Sequence, residues 1–308
     1  MDDASAERWA GVGGVIKRGH RRGHGDGLGH TPGMGRQQHV PGERVARGNT
    51  SDVWAWAPGQ VVKVLHPSVP AHWATLEADI TQRVHAAGLP VPATEGVVDV
   101  DGRPGIVFER IEGVSMWARM KASPHELPKL MEELVELQLD LHTRTDIGGL
   151  PRLVTRLGRK IDQAQLLSRE DRAGAHELLE GLPAGSSLCH GDMHPANLLR
   201  SDRGWVIIDW FDAALGHPMA DMARSSLLMR PPTSTSVFDK HLAGATANVL
   251  DRLHRAYRTT LQRRGLIDDA AFEAWQAVLA VARMSEPVVT TDLVGIWRAW
   301  QTGTRAEV

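Results

Sequence analysis

Residues 189–209 read CHGDMHPANLLRSDRGWVIID. Gly191, Pro195 and Asn197 make the first half a fixed, irregular loop, because each restricts or frees the backbone in its own way. Ser201-Asp202-Arg203-Gly204 reads as a turn, and the apolar pairs on either side, Leu198-Leu199 and Val206-Ile207-Ile208, read as a short buried hairpin. Such a hairpin brings Asp192, Asn197 and Asp209 to one end, so that two carboxylates and an amide oxygen converge. For either aspartate alone a turn cap or a strand end is the simpler explanation. That explanation does not cover the whole pattern, HGDxHxxN followed twelve residues after Asn197 by an aspartate closing a strand. Phosphoryl transfer does call for this donor set: one carboxylate takes or orients the proton of the attacking hydroxyl, while an amide oxygen and a second carboxylate hold Mg²⁺ on nucleotide phosphates. Hard oxygen donors suit Mg²⁺, which shares its coordination with phosphate and water.

Upstream of this segment the pattern changes. From residue 40 to Leu65, GERVARG, VWAWAPG and QVVKVL read as three antiparallel strands, with turns at Gly48-Asn49-Thr50-Ser51-Asp52 and Pro58-Gly59. A helix over about 71–87 stops at Gly88, and two further strands, Thr94–Val100 and Gly105–Ile111, flank the turn Asp101-Gly102. After Gly113 the chain is mostly helical. Ser123-Pro124-His125-Glu126 has the form of a capping box with proline at the first helical position. The helix it opens carries Leu127, Leu130, Met131, Leu134, Leu137 and Leu141 at helical spacing. Ser168 with Asp171 opens another helix, and Phe272, Trp275, Leu279 and Ala282 mark an amphipathic stretch near the C-terminus. These stripes are core. No internal repeat is present. The expected class is α+β, a small antiparallel β-rich lobe over 41–112 followed by a larger helical lobe over 113–308.

Residues 1–40 differ from the rest. Gly, Arg and His crowd 11–36 with almost no apolar periodicity, so the segment cannot bury enough surface to offset its ordering entropy and reads as a disordered tail. His20, His24, His30 and His39 lack the spacing of a metal site. Met34 is a candidate start. The 308 residues suffice for two packed lobes, and 42% hydrophobic with 23% charged residues is an ordinary globular balance. A formal net charge of −2 gives no reason to expect nucleic acid or an anionic membrane as partner. One cysteine, Cys189, rules out an intrachain disulfide. With no apolar run of spanning length and no secretory signal pattern at the start, the expected location is the cytoplasm.

CHGDMHPANLL and VIIDWFDAALGHPMADMA resemble the catalytic and metal-binding segments of the aminoglycoside phosphotransferase and choline kinase-like family, which shares its fold with the protein kinases. The resemblance runs from about residue 40 into the C-terminal helices and is most specific between His190 and Asp221. It implies a two-lobed kinase-like fold, an ATP (or GTP) and Mg²⁺ cofactor pair, and transfer of the γ-phosphate to a hydroxyl of a small molecule. On it, Asp192 is the catalytic base, Asn197 and Asp209 hold Mg²⁺, His190 supports the loop and Asp221 anchors it from the following helix. A kinase-like site also needs a strand lysine for the phosphates and a helix carboxylate to hold it. Lys63 in VVKVL fits, since an unpaired lysine in so apolar a strand is costly to bury. Glu77 lies in the next helix on the face of Ile80 and Val84, and Asp79 points away from that face. Thr50 and Ser51 are expected to meet the phosphates, and the backbone of Glu109 and Ile111 the adenine edge.

The acceptor is the least defined component. Asp212, Glu286, Asp292, Trp210 and Trp297 are candidates for an acceptor pocket, and a polyhydroxylated or amine-bearing, antibiotic-like molecule is the expected class. Relatives commonly carry Asp-Trp-Glu where this chain has Asp209-Trp210-Phe211, which weakens a direct transfer of amine specificity. Choline, amino alcohol or sugar kinases remain alternatives, as does an inactive kinase fold used for binding. A protein kinase is disfavoured by the missing HRD, DFG and APE forms and glycine-rich loop. A hydrolase with His190, Asp192 and His194 on a metal leaves Lys63, Glu77 and the Asn197–Asp209 spacing unexplained.

Overall fold

A computed structural model describes residues 41–231, 240–286 and 293–303. The tail over 1–40 and Asp292 therefore lie outside the described residues. Strands β1 (Arg44–Arg47), β2 (Ser51–Ala55), β3 (Gln60–Leu65), β4 (Thr94–Val100) and β5 (Arg103–Glu109) form an antiparallel sheet in the order β1-β2-β3-β5-β4. Alternation along β3 decides what each face does. Val62 and Val64 pack with Val100 and Val107 under Trp54 and Trp56. Leu65, one step out of phase, packs with Ile106 against Ala74 and Ala78 of helix α1 (His72–Ala86). Lys63 shares the phase of Leu65, so the pleat aims it at α1.

The sheet ends at Glu109, and β6 (Val114–Ser115) joins a second sheet with β8 (Leu198–Ser201) and β9 (Gly204–Ile207) in the order β6-β8-β9. The register is the hairpin read from the sequence, with Leu198 opposite Ile207 and Leu199 opposite Val206. Strand β7 (Ser187–Cys189) pairs with β10 (Ala214–Gly216), fixing both ends of the motif-bearing segment. Helices α2 (Met116–Ala122), α3 (Leu127–His142), α4 (Leu153–Asp162), α5 (Arg169–Gly181), α6 (Pro218–Met229), α7 (Lys240–Arg263), α8 (Asp269–Arg283) and α9 (Leu293–Thr302) build the rest. The chain is thus an antiparallel sheet followed by a helical region, an α+β arrangement of kinase-like type.

The stripe Leu130, Met131, Leu134 and Leu141 of α3 is fully buried, as its spacing predicts. Helix α8 differs from its amphipathic reading: every residue from Ala274 to Arg283 is buried, because α4, α5, α6 and α9 surround it. A helix packed on all sides needs no polar face.

The capping box at Ser123 does not form. Ser123 has ψ 71° and makes no side-chain cap bond, Pro124–Glu126 is a 3₁₀ turn, and Glu126 accepts from Arg119 at 2.6 Å. The arginine seven residues upstream outcompetes the backbone N–H for that carboxylate. Ser168 does cap, accepting from the Asp171 N–H at 3.0 Å.

Candidate active site

Lys63 Nζ donates to Glu77 Oε1 at 2.7 Å and to Asp209 Oδ1 at 2.9 Å, joining β3, α1 and the end of the β8–β9 hairpin. Side-chain exposure is 8% for Lys63, 4% for Glu77 and 28% for Asp209, so the trio opens to solvent on the Asp209 side. Burial alone would lower the pKa of the Lys63 ammonium, but the charges of Asp209 and Glu77 outweigh it and hold the pKa well above its ordinary value. Burial pushes the Glu77 carboxyl up to about 7, against the pull of Lys63. Asp79 is half exposed and pairs with Arg83, away from this cluster.

Asp209 sits at φ 67°, in the left-handed region, although it is not glycine. Such a backbone costs about 1–3 kcal/mol and persists where its surroundings over-determine it. Here they do: the preceding Ile208 donates its N–H to Asn197 O at 3.0 Å and accepts from His190 Nε2 at 3.1 Å. Because His190 Nδ1 accepts from the Asp192 N–H at 3.2 Å, the proton of the neutral ring belongs on Nε2. Burial lowers the pKa of His190, which keeps that tautomer.

Gly191 adopts φ 78°, and a Cβ placed on it would lie 2.5 Å from the carbonyl oxygen of Asp212. Only glycine permits that approach. Its N–H donates to Asp221 Oδ1 at 2.8 Å, and its carbonyl accepts from Arg224 Nε at 3.0 Å. Asp221 in turn bonds His142 at 3.1 Å through Oδ2, so α3 and α6 clamp the loop from below. Asp192 is thereby presented at the hairpin end. Asn197 Nδ2 donates to both the backbone carbonyl and Oδ2 of Asp192, at 2.9 and 3.0 Å. Burial would raise the Asp192 pKa, but the hydrogen bond and charge of His194 and the guanidinium of Arg224 hold it well below the usual carboxylate range. Asp192 is ionised at neutral pH and able to accept a proton.

Asn197 Oδ1 is buried and makes no hydrogen bond. An orphaned acceptor beside an accessible carboxylate at Asp209 is a pair of hard oxygen donors, which fits Mg²⁺ shared with phosphate. The alternative metal set of His190, Asp192 and His194 is not assembled: both ring nitrogens of His190 are engaged, and His194 Nδ1 accepts from the Ala196 N–H. Among the described residues no cluster of three or more His, Cys, Asp or Glu is arranged for a metal.

A cleft between the two halves is lined by Val45, Val53, Val61, Lys63, Phe108, Glu109, Ile111, Leu199, Ile208 and Asp209. Apolar strands above and Leu199 and Ile208 below make a flat slot suited to an aromatic base, ending at the Lys63 ammonium. Glu109 and Ile111 border it as the sequence reading requires. Thr50 and Ser51 do not line it; Ser51 is buried in the β2–β3 pairing, opposite Leu65.

Of the acceptor candidates, Trp297 lies elsewhere, donating to Asp171 Oδ1 of α5 at 3.1 Å. Trp210 is 1% exposed, with its N–H on Ile207 O and its ring edge-on to His190. Asp212 and Glu286 border a second cavity beside Gly191 and Arg224, but each is tied to cations. Arg156, Lys160, Arg224 and Arg283, which supply those cations, escaped the sequence reading; they lie on three helices and carry no motif. Phe211 stacks on Trp73 of α1 at 4.4 Å between ring centroids.

A family model described as "Phosphotransferase enzyme family" matches residues 42–265. The chain belongs to that family. That family is one of phosphotransferase enzymes. The fold is shared with aminoglycoside phosphotransferase APH(4)-Ia in a thermostable mutant form, at a TM-score of 0.55 and 15% identity over 85% of this chain and 91% of that one. Amicoumacin kinase hAmiN superposes with a TM-score of 0.52 at 10% identity, covering 87% and 90% of the two chains. A curated relative, acyl-CoA dehydrogenase family member 11 of Rattus norvegicus, is 24% identical over 82% of this chain and 36% of its own length. The chain therefore spans about a third of that relative. No helix among the described residues is long and apolar enough to cross a membrane.

Proposed function

We propose that this family member transfers the γ-phosphate of ATP to a hydroxyl of a small molecule, with Asp192 as base. The observation that carries the reading is that Lys63 bridges Glu77 and Asp209 at the cleft while Asn197, paired with Ile208 at the same end of the hairpin, bonds Asp192 and keeps a free amide oxygen. Lys63, held charged by its two carboxylates, meets the phosphates. Asn197 Oδ1 and the Asp209 carboxylate would hold Mg²⁺, which neutralises phosphate charge when bound. Glu109 and Ile111 offer backbone groups to the base. Asp192 accepts the hydroxyl proton as the acceptor oxygen bonds to the γ-phosphorus and the bond from that phosphorus to the β-bridging oxygen breaks, leaving ADP. Arg224, 3.9 Å from Asp192 Oδ1, keeps that carboxylate ionised and aimed.

Proteins of the same fold are known with AMP-PNP and hygromycin B, and with AMP-PNP, Ca²⁺ and Ami, which supports a nucleotide in the cleft and a polar molecule beyond it. The test is coupled ADP release with Mg²⁺ATP over panels of antibiotics, amino alcohols, sugars and hydroxy acids. Asp192→Asn is expected to lower the rate by about 10²–10⁴-fold, the usual worth of a general base. If Mg²⁺ATP gives no binding signal and Asp192→Asn leaves ADP release unchanged, an inactive binding fold replaces this reading.

A further inference from the structure

Two separate contacts join helix α1 to the segment that follows the β8–β9 hairpin. One is ionic: Lys63 holds Glu77 of α1 at 2.7 Å and Asp209 at 2.9 Å. The other is aromatic: Trp73 of α1 stacks on Phe211, with 4.4 Å between ring centroids and 30° between planes. Trp73 precedes Glu77 by four residues, one helical turn on the same face, and Phe211 follows Asp209 by two. The contacts are therefore two rungs between the same two pieces of backbone.

The halves of α1 rest on different supports. Ala74 and Ala78 pack on Leu65 and Ile106 of the sheet. Ile80 and Val84 belong instead to the core of the helical lobe, where Arg83 also donates to Gly148 O at 3.2 Å. Glu77 falls between these supports. The first turn of α1 has no side-chain cap and no acidic residue to stabilise it, and the Trp73 ring gives that end a tie to the helical lobe. On the other side, Phe211 is held from α4. Arg156 donates to the carbonyls of Phe211 and Ala213 at 2.9 and 3.0 Å, and its guanidinium lies 5.4 Å from the centre of the Phe211 ring. Asp209 is two residues back, in a left-handed conformation that its neighbours must impose. Trp73, Phe211 and Arg156 thus run as one chain of contacts from α1 to α4 beside the Lys63 cluster.

We propose that Trp73 and Phe211 are positioning residues for the phosphate end of the site. Their stack sets where Glu77 and Asp209 stand around Lys63, and so how firmly the cleft grips a Mg²⁺-bound triphosphate. Neither ring lines the slot for the base, so both act through the ionic rung. This rests on the nucleotide reading above and adds two residues to it.

Isothermal titration of the full chain with Mg²⁺AMP-PNP tests it. Trp73→Ala and Phe211→Ala should each weaken binding about three- to tenfold, the worth of an aromatic pair. The double variant should be no weaker than the poorer single one, because both remove the same contact. Trp73→Phe and Phe211→Tyr keep a stack and should stay within about twofold of wild type. In a Glu77→Gln background, where the ionic rung is already broken, Phe211→Ala should cost less than about twofold more. Phe211→Leu keeps an apolar side chain but no stack and should show the same loss, so the result stands even where an alanine variant does not fold. Wild-type affinity in Phe211→Leu, losses that add in the double variant, or a loss that persists undiminished in Glu77→Gln each overturn the positioning role and leave the phosphotransferase reading standing. A wild-type chain that does not bind Mg²⁺AMP-PNP overturns the reading beneath, and the proposal with it.

Discussion

Replacing Gly191 by alanine should disable the site from a position that touches no substrate. Two costs add. An L-residue at φ 78° gives up about 1–2 kcal/mol relative to glycine. The new Cβ would also stand 2.5 Å from Asp212 O and 3.0 Å from Asp212 Cβ, and the first of these is backbone that no rotamer change relieves. The loop must retreat by about 0.5–1 Å to reach ordinary contact, at a further ~1–2 kcal/mol typical of overpacking. The sum, about 2–4 kcal/mol, corresponds to a fall in Tm of about 3–6 °C for a chain of this size. The retreat also pulls on the bonds to Asp221 and Arg224 that present Asp192, and a misplacement near 1 Å costs about 10²-fold in turnover. Differential scanning fluorimetry and coupled ADP release read the two effects separately. Gly191→Asn is the informative companion: asparagine tolerates the left-handed region but keeps the Cβ, so it should recover at most about 1 kcal/mol and no activity. Wild-type Tm within about 1 °C together with turnover within about threefold in Gly191→Ala would refute the close-approach argument.

Asn197→Ala removes one of two hard oxygen donors, so the Mg²⁺ concentration for half-maximal ADP release should rise about tenfold or more, and EDTA should stop wild-type turnover. His254 is buried against Ser226, and burial followed by the charges of Arg230, Arg258 and Arg255 brings its pKa down to about 3. The unfolded chain, titrating near 6.5, therefore binds the proton first as pH falls; stability is full above that value and declines below it towards pH 3. The loss between pH 7.5 and 5.5 should be about 1.4 kcal/mol, absent in His254→Gln when urea midpoints of the two proteins are compared. Ser168→Ala should cost about 1 kcal/mol through a lost cap, whereas Ser123→Ala should stay within about 0.5 kcal/mol; equal costs in thermal melts would contradict the two cap geometries.

The sequence by itself determined whatever rests on neighbours along the chain. Turn residues and short apolar runs set the β8–β9 hairpin in its observed register, and with it the meeting of Asp192, Asn197 and Asp209. Alternation in VVKVL put Lys63 out of phase with Val62 and Val64, which is why it faces Glu77. Tertiary structure decided what depends on competition between distant groups. Ser123 lost its capping role to Arg119, Ser51 was buried in the β2–β3 pairing, and Trp297 turned to Asp171 rather than to the cleft. The second cavity is the sharpest case. Asp212 and Glu286 look like receivers for an amine until α4 and α6 converge on them and hand them Lys160 and Arg224. Coulomb energy falls off with distance in space, and helices far apart in sequence bring those charges within 4 Å only once packed.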